Sequence, residues 1–372
     1  MIPVCEPTLA GNELKYVTDC VKTNWISSAG KYIKEFEDRF SQFCGVKYGV
    51  SCSSGTAAIH LALEALGIGK GDEVIIPTFT MIATANAVIY SGARPVLVDS
   101  DSETWNIDPT RIEGKITKRT KAILPVHIYG HPCDMDAINR IAEEHDLKVI
   151  EDAAEAHGAE YKGKRTGSLS DVAAFSFYAN KIITTGEGGM IVTDDKKIAE
   201  KATLLRNHAF TEPRFVHKEM GFNYRMTNIQ AAIGLAQVEN AEKLVEARIK
   251  NAMQYNRLLK RIKGIALPPR KEWAKNVYWM YGILIEKEFG TAKEEVMKRL
   301  KEKGVDTRSF FFPMHLQPAY KKKDKRFPNQ AGQYPVSESL YEKGLYLPSG
   351  SSLTVDQIKY VVEKVAEIED EE

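Results

Sequence analysis

Ser176-Phe177-Tyr178-Ala179-Asn180-Lys181-Ile182-Ile183-Thr184-Thr185-Gly186-Glu187-Gly188-Gly189 sets one amine between a hydrophobic strand and a glycine-rich turn. Upstream, another hydrophobic run ends in Val149-Ile150-Glu151-Asp152. A lysine can form a Schiff base with the aldehyde of pyridoxal phosphate, and an aspartate at a strand's C-terminal end can keep the pyridine nitrogen protonated, which makes the ring an electron sink. Taken singly, Lys181 would be a solvated surface lysine and Asp152 a loop carboxylate. Their context changes that reading. Ser51-Cys52-Ser53-Ser54-Gly55-Thr56-Ala57-Ala58 follows a predicted strand and opens a helix, so Ser54, Gly55 and Thr56 bring N–H groups and hydroxyls to a helix N-terminus. That is a site for a phosphate dianion. A Ser/Gly turn with an ordinary N-cap would be the simpler account if it stood alone.

Outward from these segments the chain reads as an α/β protein. Short β-rich runs alternate with helical stretches from Val46 to about Val192, the pattern of a mostly parallel sheet. Strands are predicted at Tyr48–Ser51, Glu73–Pro77, Arg94–Val98, Ala122–Val126, Lys148–Glu151, Ala173–Ser176 and Gly189–Val192. Asp152 and Glu155 then fall at the end of the fifth strand, where open α/β sheets bind ligands. His157, a lone histidine beside a glycine, reads as a hydrogen-bonding residue. Thr227 to Ile262 form long helical segments. After them come a strand Val277–Ile285, a charged helix Ala292–Lys303, a strand Val305–Phe312 and a last helix opened by a Thr354-x-x-Gln357 capping box. We therefore divide the chain into a large α/β domain, residues 1–240, and a smaller α+β domain, residues 241–372. Lys321 to Arg326 reads as a solvated loop and the acidic tail Glu367–Glu372 as frayed.

Composition narrows the partners. The 372 residues are 43% hydrophobic and 27% charged, enough to bury a sizeable core. Fifty-one Lys and Arg against 50 Asp and Glu leave a formal charge of +1, so no global field recruits nucleic acid or anionic lipid. An anionic ligand must be caught locally. Met1-Ile2-Pro3-Val4-Cys5-Glu6-Pro7 lacks the basic start and apolar stretch of a signal peptide, and no apolar run reaches membrane-spanning length, so a cytoplasmic location is expected. The five cysteines show no metal-ligand spacing and read as reduced core thiols, with no metal site expected.

These motifs, in this order over nearly the whole chain, resemble the nucleotide-sugar aminotransferases of the DegT/DnrJ/EryC1/StrS group, within fold type I of pyridoxal-phosphate enzymes, the aspartate aminotransferase fold. The resemblance rests on the Lys181 segment together with Trp25-Ile26-Ser27-Ser28-Ala29-Gly30-Lys31-Tyr32-Ile33, Gly71-Asp72-Glu73-Val74-Ile75-Ile76-Pro77 and Gly221-Phe222-Asn223-Tyr224-Arg225-Met226-Thr227-Asn228. It implies a large domain with a seven-stranded sheet. Lys181 would be the Schiff-base lysine and Asp152 the partner of the pyridine nitrogen. Glu155 would lie near the phenolic oxygen, where many relatives have glutamine. Ser54, Gly55, Thr56 and Ser176 would hold the phosphate, joined by Asn223 from the neighbouring subunit of a homodimer with shared sites. Ser27, Ser28, Arg225, Trp279 and His315 would line the nucleotide-sugar pocket. Met81 stands where the family usually sets an aromatic residue against the ring, and a thioether can also pack there. Asn276 stands where relatives often carry histidine.

The reaction so implied is transamination from L-glutamate to a nucleotide-linked 4-keto-6-deoxy sugar. GDP-4-keto-6-deoxy-D-mannose, aminated to GDP-perosamine, is the first acceptor, and UDP- or dTDP-linked 4-keto sugars are the alternative. A non-catalytic regulator on the same scaffold is a reading of a different class. It would be expected to lose Lys181, Asp152 or the phosphate loop, and all three are present.

Overall fold

A computed structural model describes residues 1–321 and 332–370, so Lys322 to Arg326 and the last two tail residues lie outside the described residues. The seven predicted strands of the large sheet form: β1 (Tyr48–Cys52), β2 (Glu73–Pro77), β3 (Arg94–Val98), β4 (Thr120–Ile123), β5 (Lys148–Asp152), β6 (Val172–Ser176) and β7 (Gly189–Thr193). Their order is β1-β7-β6-β5-β4-β2-β3, and β7 alone runs antiparallel to both neighbours. β6, β2 and β7 are buried along their whole length, which is why they read as continuous apolar runs rather than alternating ones.

Both faces of the sheet are covered. α1 (Glu13–Lys22) and α2 (Lys31–Cys44), which the sequence reading left unassigned, pack with α7 (Asn228–Glu239) over one side. There Phe36 and Phe40 of α2 meet Phe177 at ring separations of 5.0 and 4.9 Å. α3 (Gly55–Ala65) crosses the other side with α4 (Ile82–Tyr90) and α6 (Lys196–Leu205); α5 (Met135–Glu144) leads into β5. α3 is apolar almost all round because it is buried all round. Thr227 and Gln230 cap α7 reciprocally, and α8 (Ala241–Leu259) carries the chain onward.

The C-terminal part holds a four-stranded antiparallel sheet of β8 (Ile265–Ala266), β9 (Tyr281–Ile285), β10 (Arg308–Ser309) and β11 (Gly344–Leu347), in the order β8-β9-β11-β10. α9 (Lys293–Glu302), α10 (Pro335–Lys343) and α11 (Val355–Asp370) flank it. The capping box at Thr354 and Gln357 forms as predicted.

Three strands differ from the sequence reading by more than one residue at a boundary. β4 stops at Ile123 because Pro125 has no N–H to donate to a ladder. β9 begins only at Tyr281, since Tyr278 adopts a left-handed φ of 48° that turns the chain. The predicted strand Val305–Phe312 shrinks to Arg308–Ser309, whose partner is β11, a strand too short to have been noticed. All five cysteines are free, and four of them are buried. Among the described residues no helix is long and apolar enough to cross a membrane.

Candidate active site

The C-terminal ends of β2, β5 and β6 and the β1–α3 turn converge on a cavity of about 320 Å³. Ser54, Gly55, Thr56, Met81, Asp152, Glu155, Ser176, Lys181 and Trp279 all line it. The turn into α3 is tight. Ser54 caps the helix by accepting a hydrogen bond from the Ala57 N–H, and the first residues of α3, Gly55 and Thr56, line the cavity. Gly55 is required there by close approach rather than by its φ, since a Cβ on it would stand 2.6 Å from Cβ of Ser176. Gly189 has the same reason, with the Ser54 carbonyl oxygen 2.2 Å from its would-be Cβ.

Asp152 ends β5 almost fully buried. The Thr84 hydroxyl donates to Oδ2 at 2.7 Å and the Ala154 N–H donates to Oδ1 at 3.2 Å. Burial raises this carboxyl above the ordinary aspartate range, and the Thr84 bond pulls the other way. Its hydrogen-bond partners are neutral, so a cation placed against it would stabilise its charge.

Lys181 sits on the turn after β6. Its Nζ lies 3.5 Å from the centroid of the Trp279 ring and 3.9 Å from Oε1 of Glu155. Burial depresses the amine, opposed by the charges of Glu155 and Asp152. Burial pushes Glu155 up to about 7, against the charge of Lys181 and a 2.8 Å hydrogen bond donated by the Tyr129 N–H to Oε2. Tyr129 and Tyr278, both at positive φ, flank the site, a placement in which strained backbone commonly serves positioning. His157 lies behind the lysine turn, nearly parallel to the rings of Phe175 and Phe177, and burial drives its imidazole down to about 3.

The other candidate residues are not brought to this cavity within one chain. Asn223 is exposed and bridges Asn207. Arg225 donates to Oδ1 of Asn207 at 2.9 Å. Ser27 and Ser28 lie on an exposed loop that is tied to Asn228 through the Ser27 carbonyl. His315 is buried between Thr78 and Glu338, at 2.7 and 3.0 Å, and stacks on Tyr334. Trp279 lines the cavity as a floor beneath Lys181, with its indole N–H donated to the Asn180 carbonyl at 2.8 Å. Asn276 is buried and does not line the cavity. It accepts the Tyr278 N–H at 2.8 Å and so holds the turn that presents Trp279.

Sequence reasoning missed Thr84, Tyr129, Phe311 and Tyr346. Thr84 had a signal, since Thr80 and Thr84 are one helical turn apart just beyond a strand end, and their hydroxyls meet at 3.0 Å. Phe311 and Tyr346 reach the cavity, and Tyr129 reaches Glu155, through tertiary folding that leaves no local pattern.

The residues present fit pyridoxal phosphate. The glycine-lined helix terminus suits a phosphate, the buried Asp152 suits a pyridinium, and the depressed amine of Lys181 suits an aldehyde. A mixed seven-stranded sheet of this order, opening on an amine and a carboxylate beside that helix terminus, makes the molecule a pyridoxal-phosphate enzyme of fold type I. Comparison with known proteins carries this further. The model of the DegT/DnrJ/EryC1/StrS aminotransferase family matches residues 7–366, and the chain belongs to that family of pyridoxal-phosphate-dependent aminotransferases. GDP-perosamine synthase of Caulobacter vibrioides is 47% identical over 97% of this chain and 96% of its own length. The protein of the same name from Escherichia coli O157:H7 is 44% identical over 98% of each. The crystal structure of S. venezuelae DesV in complex with a ketimine intermediate matches with a TM-score of 0.90 and 35% identity, covering 96% of this chain and 94% of that one.

Proposed function

We propose that this chain transfers the amino group of L-glutamate to the C4 ketone of GDP-4-keto-6-deoxy-D-mannose, giving GDP-perosamine. The observation that carries the reading is the meeting of Lys181, Asp152 and the α3 terminus in one cavity, in a chain 44–47% identical over nearly its whole length to proteins named GDP-perosamine synthase.

Pyridoxal phosphate supplies the aldehyde that carries the amino group and a ring that draws electrons from the reacting carbon. The chain supplies the rest. Asp152, oriented by Thr84 and Ala154, holds a negative charge where the ring nitrogen needs one. Ser54, Gly55, Thr56 and Ser176 would hold the phosphate. Met81, half exposed in the cavity lining, would be the residue to pack against the ring. Lys181 is the cofactor-linking lysine and then moves the proton at Nζ, a task suited to an amine whose pKa is lowered by burial. Trp279 shields that amine from water on one side.

In this reading residues 1–240 supply the cofactor groups, while residues 241–372 close the cavity with Trp279, Phe311 and Tyr346. The exposed positions of Asn223, Ser27 and Ser28, with the half-buried Arg225 beside Asn223, support a homodimer in which one protomer completes its partner's site. Two-fold dimers are the commonest assembly. His315, tied down on both ring nitrogens, would shape the pocket wall rather than reach the sugar.

An enzyme selects its acceptor through transition-state binding, and a base that leaves buried polar groups unpaired is rejected strongly. In a mass-spectrometric panel with glutamate, the GDP-linked 4-keto sugar should therefore exceed the UDP- and dTDP-linked ones in kcat/KM by at least about tenfold, or roughly 1.4 kcal/mol. A UDP- or dTDP-linked acceptor in first place would remove the perosamine assignment and leave the transamination.

A further inference from the structure

We propose that Glu155 carries the proton that Lys181 must surrender before its amine can join the cofactor aldehyde, an inference that rests on the cofactor-linking role assigned to Lys181 above. Nζ of Lys181 and Oε1 of Glu155 stand 3.9 Å apart, with side chains only 9% and 4% exposed. The Trp279 ring closes the amine from another direction at 3.5 Å. Glu155 is thus the carboxylate within ion-pairing reach of this ammonium, and both groups line the cavity that the aldehyde must enter. The groups facing the pair are Asp152 from β5, the phenols of Tyr129 and Tyr346, His157 behind the lysine turn, and Cys5 from the N-terminal segment. Asp152 already accepts hydrogen bonds on both oxygens, and His157 is held neutral by burial. Glu155 spends Oε2 on the Tyr129 N–H, and Oε1 is the atom nearer the amine.

Burial favours the exchange. It depresses the amine and raises the carboxyl, so moving a proton from Nζ to Oε1 turns a buried ion pair into a neutral pair at little cost. The step balances. The ammonium of Lys181 gives one proton to Glu155, and the free amine forms a C–N bond to the aldehyde carbon. The carbonyl oxygen departs as water. That water takes two of the three original ammonium protons, one of them handed back through Glu155, and the third remains on the imine nitrogen. Glu155 ends as the carboxylate it began as, and nothing is oxidised or reduced.

The test reads cofactor capture rather than turnover. Full-length protein stripped of cofactor is mixed with pyridoxal 5'-phosphate near neutral pH, quenched with borohydride at intervals, and the adduct on the Lys181 peptide is counted by mass spectrometry. Glu155→Gln keeps an oxygen for the Tyr129 N–H, and its capture should be slowed at least about a hundredfold, the low end for loss of a general acid or base. If Glu155 acted only as a countercharge, removing it would leave more neutral amine and capture would be as fast or faster, which overturns the proposal. Glu155→Asp keeps a carboxylate and should capture faster than Glu155→Gln; a rate no faster overturns it as well. Absence of an adduct on Lys181 in the wild type would overturn the underlying role of Lys181, and it is seen before any variant is compared.

Discussion

Replacing Gly55 with alanine puts one methyl group into the tightest contact of the phosphate turn. Its Cβ would lie 2.6 Å from Cβ, 3.1 Å from Oγ and 3.3 Å from Cα of Ser176. The first distance is about an ångström inside ordinary carbon contact. Two of these atoms belong to the base of a buried strand, so the start of α3 must move. Overpacking of this kind costs about 1–3 kcal/mol. Alanine's helical advantage, ~1 kcal/mol in a helix interior, recovers only part of that at the first helical position. The N–H groups displaced are those assigned to the phosphate, so we expect a lower melting temperature and a cofactor Kd raised at least about tenfold, or ~1.4 kcal/mol. Thermal melting of the stripped protein and fluorescence titration with pyridoxal phosphate read the two effects separately. Ser176→Gly in the same chain removes the nearest contact, and the double-mutant cycle should show a coupling of about 1 kcal/mol. A Gly55→Ala protein that melts at the wild-type temperature and binds the cofactor unchanged would refute the packing argument.

Lys181→Ala should abolish glutamate turnover while leaving a folded chain that retains pyridoxamine phosphate, checked by absorbance of the desalted protein; near-wild-type turnover would remove the lysine from the mechanism. Asp152→Asn should lower turnover by more than about tenfold, because a neutral amide cannot pair with a protonated ring nitrogen; a smaller loss would mean that Asp152 is not the ring partner. His157 is held near 3 when folded and would titrate near 6.5 when unfolded, so the unfolded chain binds the extra proton first. Its contribution to stability is whole above about pH 6.5 and declines as pH falls toward 3. Melting temperatures followed through that window should fall less steeply for His157→Asn than for the wild type, and parallel curves would count against it. Mixed protomers of inactive Lys181→Ala and Asn223→Asp should regain part of the activity after subunit exchange, whereas verified exchange without recovery would argue against a shared site.

The parts of this molecule legible in its sequence are those whose chemistry is local. Lys181, Asp152 and the Ser54–Thr56 turn each sit in a short strand-to-loop segment, and the strands that carry them are buried apolar runs bounded by Gly, Ser and Pro. The helix caps at Thr227 and Thr354 are similarly local. What escaped notice depends on distant packing. Tyr129 reaches Glu155 through a turn with an unfavourable φ that no propensity anticipates, and Tyr346 arrives on a four-residue strand defined only by its neighbours. Asn276 acts at one remove. Its side chain secures the Tyr278 turn, so its importance to the site is real but passes through Trp279. His315 likewise reads as a pocket residue in sequence and folds as a buried tie between Thr78 and Glu338.

The account stands on the claim that this chain itself carries an amino group between two substrates. Holoprotein treated with amino-15N glutamate, freed of small molecules and then given GDP-4-keto-6-deoxy-D-mannose alone should yield GDP-perosamine bearing one 15N, at up to one equivalent per site. Lys181→Ala should yield none. Unlabelled sugar after the second step, although the first step has released 2-oxoglutarate, would contradict the claim.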